Sequence, residues 1–306
     1  MTKRSLRRRL RRGRAAVIAI PYLWLLVFFL LPFLVVMKIS VSEMDGATFQ
    51  DLVRLQDGSI AFNLKFVNYL LLVQDDLYFS TYLSSLKYAA VTTVACLFIG
   101  YPFAYFMARA RTTLQPALLM LVMLPFWTSF LLRVYAWKGL LTENGWAANA
   151  ISWLGLDQVL AAVGLIPAPG QLMNTPFSLV LGMTYTYLPF MILPLYGSLS
   201  RLDASLVEAA ADLGAKPLTA LFRVVVPLSA PGIRAGSILV FIPCVGAFLT
   251  PDLLGGGKTV MIGNLVQNQF TTARDWPFGS AVSLLLMLIV VLLVVVFLRR
   301  EDEEAL

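Results

Sequence analysis

Between two apolar runs the chain reads Arg201-Leu-Asp-Ala-Ser205-Leu-Val-Glu208-Ala209-Ala210-Ala-Asp212-Leu-Gly214-Ala215-Lys-Pro217, and then Phe222-Arg-Val-Val-Val-Pro227-Leu-Ser-Ala-Pro231-Gly232. The whole segment 200–234 is longer than a simple connection between helices needs. Ser205 is placed to cap a short helix, with Glu208 three residues on as the reciprocal partner of a capping box. Ala209 to Ala211 give that helix a thin face. Gly214 permits a turn where a side chain would crowd a partner, and Pro217 suits the first turn of a second short helix. The spacing predicts a helix–turn–helix knob with a small-residue edge, built to enter a groove on another protein.

Outward from this knob the chain is a membrane protein. Apolar residues make up 59% of its 306 positions and charged residues 13%, whereas soluble domains carry roughly 45–50% and about 25%. A span needs about 20 mainly apolar residues, and six stretches qualify: 15–37, 82–107, 114–134, 176–199, 235–254 and 279–298. The first begins like a signal peptide but is too long and lacks a small-residue cleavage site, so it reads as an uncleaved helix. The paired arginines before it resemble an export signal, for which a polytopic chain has no use. Residues 42–80 form a polar extramembrane loop with a short amphipathic helix at 66–72, and 137–175 is broken by glycines and prolines. Pro189, Pro194 and Pro243 fall within spans and are expected to kink them.

Basic residues fix the expected orientation. Eight of the 24 Lys and Arg precede Ala15, and with an inside N-terminus 16 of the 24 fall on cytoplasmic segments. Residues 1–14 are then a basic cytoplasmic segment, and 15–306 a transmembrane domain with both termini and the loop 200–234 inside. A nucleic-acid-binding arm is the lesser reading of 1–14.

Several chemistries drop out. There is no histidine, so imidazole ligation and His-based acid–base catalysis are absent. Cys96 and Cys244 each sit in an apolar run as small core residues, with no metal spacing. No catalytic residue, metal site or cofactor is expected. Gly257-Lys258-Thr259 imitates the end of a phosphate-binding loop, but Asp252 stands where that loop's leading glycine belongs.

The segment Glu208-Ala-Ala, three residues, Gly214, nine residues, Val224-Val-Val-Pro227 resembles the EAA motif of ABC importer permeases, with Val224 and Val226 replacing Ile and Leu. The likeness runs from about 68 to 293. Gly100-Tyr-Pro102-Phe-Ala-Tyr105, 124–137 from Leu124-Pro-Phe-Trp127 through Arg133 to Trp137, Pro251-Asp252-Leu-Leu-Gly-Gly, Met261-Ile-Gly-Asn264 and Arg274-Asp-Trp276-Pro are similar to the permeases of spermidine/putrescine-type importers. The resemblance implies an all-α fold with five core helices and a peripheral first helix. It further implies a cytoplasmic (inner) membrane location, a second homologous permease, two ATPase subunits and an extracytoplasmic binding protein. In that family the loop enters a cleft of the ATPase. Glu208 would then meet a basic residue there, Ala209, Ala210, Gly214 and Ala215 would permit close packing, and Asp212 and Pro227 complete the coupling set.

A polyamine path should offer carboxylates, carbonyls and aromatic faces. Asp252, at the outer end of the fifth span, is the ionisable candidate, although a helix end or a pairing with Lys258 explains it equally well. Trp127, Tyr135 and Trp137 surround the outer end of the third span, where interfacial anchoring is the competing reading. Arg133 would repel a cation and is assigned to an ion pair or to contact with a binding protein. No acidic residue lies deep in a span, which suggests a weak, transient site. The alternatives are a permease for another small solute, or a secondary transporter or channel. The latter two would call for intramembrane charges or an internal repeat, and neither is visible.

Overall fold

The computed structural model describes residues 17–45, 48–49, 53–56, 59–62, 65–257 and 259–304. The basic segment 1–14 and Lys258 lie outside the described residues. Among the described residues, four helices are each long and apolar enough to cross a bilayer: α1 (Val17–Ser40), α3 (Asp76–Arg109), α8 (Pro176–Leu199) and the part Trp276–Val296 of the last helix. Two bent pairs bring the number to six when each counts as one span. Apart from two short hairpins, every described element is helical.

Contacts divide the chain into two compact units. One holds α1, α2 (Val67–Gln74) and the first half of the last helix, α12 (Trp276–Glu304). The most apolar stretch of α1 buries nothing, as a peripheral helix should. Its C-terminal end is tied to α2, which falls where a short helix was expected. The Asn68 amide donates to the carbonyls of Ser40 at 3.0 Å and Ser42 at 3.3 Å, and Tyr69 Oη donates to Ser40 Oγ at 2.9 Å. Lys65 pairs with Glu43. Between them run two antiparallel hairpins that the polar composition did not foretell. β1 (Met44–Asp45) pairs with β2 (Thr48–Phe49), and β3 (Val53–Gln56) with β4 (Ser59–Phe62). The Asp57-Gly58 pair in the sequence is the signal that could have announced the second.

The other unit is built on α3, α8 and α11 (Ala230–Val245), which pack mutually. Met191 of α8, fully buried, is the centre of the crossing. A Cβ on Gly100 of α3 would lie 3.2 Å from Met191 Cγ, and one on Gly236 of α11 would lie 2.8 Å from Met191 Sδ. One turn away, a Cβ on Gly232 would lie 2.6 Å from Ser198 Cβ and 2.8 Å from the Pro194 carbonyl oxygen. Gly232-x-x-x-Gly236 is thus a small-residue face that lets two backbones approach, the usual device where no aqueous hydrophobic force drives helices together. Cys96 and Cys244 are buried free thiols, as expected of core residues. Cys96 Sγ donates to the Thr184 carbonyl at 3.6 Å.

Two spans differ from the expected rods. The stretch 114–134 is not one helix but α4 (Gln115–Trp127) and α5 (Phe130–Leu141), bent by 89°. Pro125 cannot donate to an i−4 carbonyl, so the end of α4 tightens into a 3₁₀ turn. Thr128 and Ser129 are extended, and Thr128 Oγ1 closes the break on the Pro125 carbonyl at 2.8 Å. The fifth span begins earlier than 235, as α10 (Pro217–Leu228) and α11, bent by 68°. Arg234, read as a loop residue, lies inside α11. The residues after Val245 leave the helix and turn again at Pro251–Gly255. By contrast, α8 has the expected limits, with Thr175 and Ser178 forming a capping box. Helices continue through Pro102, Pro189, Pro194 and Pro243. Two short helices, α6 (Trp146–Trp153) and α7 (Leu156–Ala162), occupy the broken loop.

Candidate functional site

The knob of 200–234 is present. Helix α9 (Ala204–Asp212) carries Glu208, Ala209, Ala210 and Asp212, and leans on the first turns of α10. Its cap is Asp203, not Ser205. Asp203 Oδ1 accepts from the Ser205 amide at 3.0 Å, which puts Ser205 inside the helix and Glu208 beyond reach of a capping-box bond. Both residue types cap well, and the one lying two positions earlier takes the role. The Asp203 carboxyl is held below the usual carboxylate range by the hydrogen bonds it accepts from the backbone N–H and hydroxyl of Ser205.

At the other end the Gly214 amide donates to the Ala211 carbonyl at 2.8 Å, and the Ala215 amide to the Ala210 carbonyl at 3.0 Å. That pair of bonds is the Schellman closure, which requires a left-handed residue; Gly214 has φ +83°. Among the described residues, none beyond its two chain neighbours comes within 4 Å of where its Cβ would be. The glycine therefore answers the backbone. Lys216 precedes Pro217, which takes the first position of α10.

Glu208, Ala209, Asp212 and Pro227 are exposed, and Ala210 and Ala215 half-buried. Leu213 is 90% exposed, and Leu206, Leu218 and Phe222 are exposed around it. These four apolar side chains were missed by reading the motif alone. Their signal was an apolar residue directly before the turn glycine and at the outer positions of α10. Pro227 lies in the last turn of α10. There Ser229 is fastened by Tyr101 of α3, hydroxyl to hydroxyl at 3.0 Å, and itself donates to the Val226 carbonyl at 3.0 Å. α10 thus runs from α9 to a bend that is attached to the three-helix core.

The four candidates for a substrate path are only partly gathered. Trp127 is 74% exposed at the break of α4 and α5, and Tyr135 is exposed on α5. Trp137 instead packs in a T-shaped contact with Tyr185, ring centres 5.5 Å apart, and against the cluster of Leu141, Ala148, Ile166 and Leu172. Asp252 is exposed in the Pro251–Gly255 turn, which packs against both α5 and α8. Its proposed partner Lys258 is outside the described residues. Arg133 makes no ion pair among the described residues. It lies between the rings of Phe126 and Phe130, 5.6 Å from each centre.

Comparisons agree with this architecture. Residues 96–300 match the family described as binding-protein-dependent transport system inner membrane component. The chain is 41% identical over 261 residues to the spermidine/putrescine transport system permease protein PotB of Escherichia coli (strain K12), covering 85% of this chain and 88% of that one. It is 41% identical over 267 residues to the PotB of Haemophilus influenzae, covering 87% and 86%. The crystal structure of a bacterial alginate ABC transporter in complex with an alginate pentasaccharide-bound periplasmic protein shares the fold, with TM-score 0.64 at 14% identity over 96% of this chain and 94% of that one. With its family match across two thirds of its length, its bent-pair helical architecture and these relatives, the chain belongs to the family of binding-protein-dependent transport system inner membrane components.

Proposed function

We propose that this chain is one of two homologous permease subunits of an ATP-driven polyamine importer in the cytoplasmic membrane. The observation that carries the substrate class is identity with spermidine/putrescine permeases extending over 85% of the chain. ATP is hydrolysed on two separate subunits, and an extracytoplasmic binding protein delivers the cargo. Both termini and the α9 knob are cytoplasmic. The edge of Glu208, Ala209, Ala210, Gly214 and Ala215, together with the exposed Leu206, Leu213 and Phe222, enters a cleft of one ATPase, with Glu208 meeting a basic residue. Closure of the ATPases moves α9, and α10 carries that motion to the bend at Ser229 and into α11. The spans then pass between inward- and outward-facing arrangements. Asp252, Trp127 and Tyr135 are the outer-side candidates for cargo contact.

Deletion of the gene should lower uptake of labelled spermidine or putrescine, and a plasmid copy should restore it. Unchanged polyamine uptake together with loss of uptake of another solute would keep the importer and discard the polyamine.

A further inference from the structure

Arg133 stands in the first turn of α5, just past the 89° break. One ring beside it, Phe126, precedes the break, and the other, Phe130, follows it. The Arg133 Nε and Nη1 are buried and meet no hydrogen-bond acceptor among the described residues. Among the described residues, the partners of the guanidinium are thus two ring faces. Leaving them breaks no ion pair, and it frees two buried donors whose desolvation is uncompensated. The rings also continue inward. Phe190 of α8 meets Phe126 edge-on with centres 5.1 Å apart, and Tyr187 follows at 6.3 Å from Phe190. Tyr187 Oη then donates to the Pro243 carbonyl of α11 at 3.4 Å.

We propose that Phe126 and Phe130 form a station for the ammonium groups of the cargo, and that Arg133 is its resting occupant, displaced when cargo passes. This deepens the polyamine reading and rests on it. Aromatic faces attract guanidinium and ammonium alike through the ring quadrupole. Two like charges cannot share one small desolvated site, so the exchange is one cation for another. Arg133 gains acceptors or water for Nε and Nη1 on leaving, which offsets its lost ring contacts. The exchange is then nearly balanced, as transit requires: favourable enough to enter and weak enough to leave.

The test uses the complete importer in lipid vesicles, supplied with saturating spermidine-loaded binding protein, reading the initial rate of labelled spermidine uptake. The unaltered complex examines the substrate reading by itself: no spermidine uptake there would sink the polyamine and this station together. Given uptake, the Phe126→Leu/Phe130→Leu pair keeps apolar volume and removes the ring faces, and should lose about tenfold or more in rate. Phe126→Tyr/Phe130→Tyr keeps the faces and should stay near the unaltered rate. Arg133→Gln removes the occupant and should transport at least as well as the unaltered protein. Full transport by the leucine pair, an equal loss in the tyrosine pair, or abolished transport in Arg133→Gln would each overturn the proposal. Should the leucine pair fail to assemble, the tyrosine pair and Arg133→Gln still decide it.

Discussion

Glu208 and Gly214 occupy one small knob, yet the structure gives them different reasons for being there. Among the described residues none bonds to the exposed Glu208 side chain, so Glu208→Lys should leave insertion and accumulation intact while presenting a like charge to the proposed basic partner. Transport should fail, and the ATPase should copurify poorly or escape control by substrate; full transport by this variant would show that the carboxylate does not couple. Gly214 is required by the turn itself, because φ +83° is strained for most side chains. Gly214→Leu adds that strain to a bulky group at a docking face, where overpacking typically costs about 1–3 kcal/mol, or roughly five- to hundredfold in affinity. Gly214→Asn separates the two effects, since Asn tolerates the left-handed region. Coupling should fall less in Gly214→Asn than in Gly214→Leu, measured as ATPase retained on purification. Equal losses would mean that the turn matters and the cleft does not. The helix–turn–helix was legible in the sequence at this scale, but the cap was not. Asp203 and Ser205 are both good caps, and only the backbone path chooses between them.

Among elements, legibility followed how far hydropathy alone determines a helix. α8 has the limits read from the sequence because Thr175-Pro176 starts it and the polar Ser200-Arg201 ends it, so composition and capping agree. The third span did not, because apolar content is the same on both sides of Thr128 and an average over it cannot register a turn. Pro125 was visible, but a proline inside a membrane helix as readily leaves the helix continuous, as Pro189 and Pro194 do in α8. The fifth span was misplaced for a related reason. Arg234 reads as a boundary charge, whereas Gly232 and Gly236 make that very segment a packing face. This face supplies an element-scale prediction. Gly232→Leu would drive a side chain into Ser198 and the Pro194 carbonyl, and overpacking of this kind costs about 1–3 kcal/mol or more. The variant should accumulate poorly and be degraded, unlike Glu208→Lys, as judged by its amount in purified membranes. Normal accumulation would show that α11 and α8 can separate without loss, contrary to the close crossing described here.

For the whole molecule, the account turns on which side of the membrane the knob occupies. The proposed orientation rests on the distribution of basic residues, 16 of 24 on the segments that the sequence assigns inside, Arg234 among them although it lies within α11, together with an even number of spans when each bent pair counts as one. Everything mechanistic depends on it, because an ATPase can meet Glu208 and Leu213 only in the cytoplasm. Single cysteines placed in intact cells and treated with a membrane-impermeant thiol reagent examine this directly, with the buried Cys96 and Cys244 as a quiet background. Ser59→Cys and Thr271→Cys should be labelled from outside, while Ser205→Cys should react only after the membrane is opened. Labelling of Ser205→Cys in sealed cells would place the knob outside, and would contradict the coupling role and the topology together.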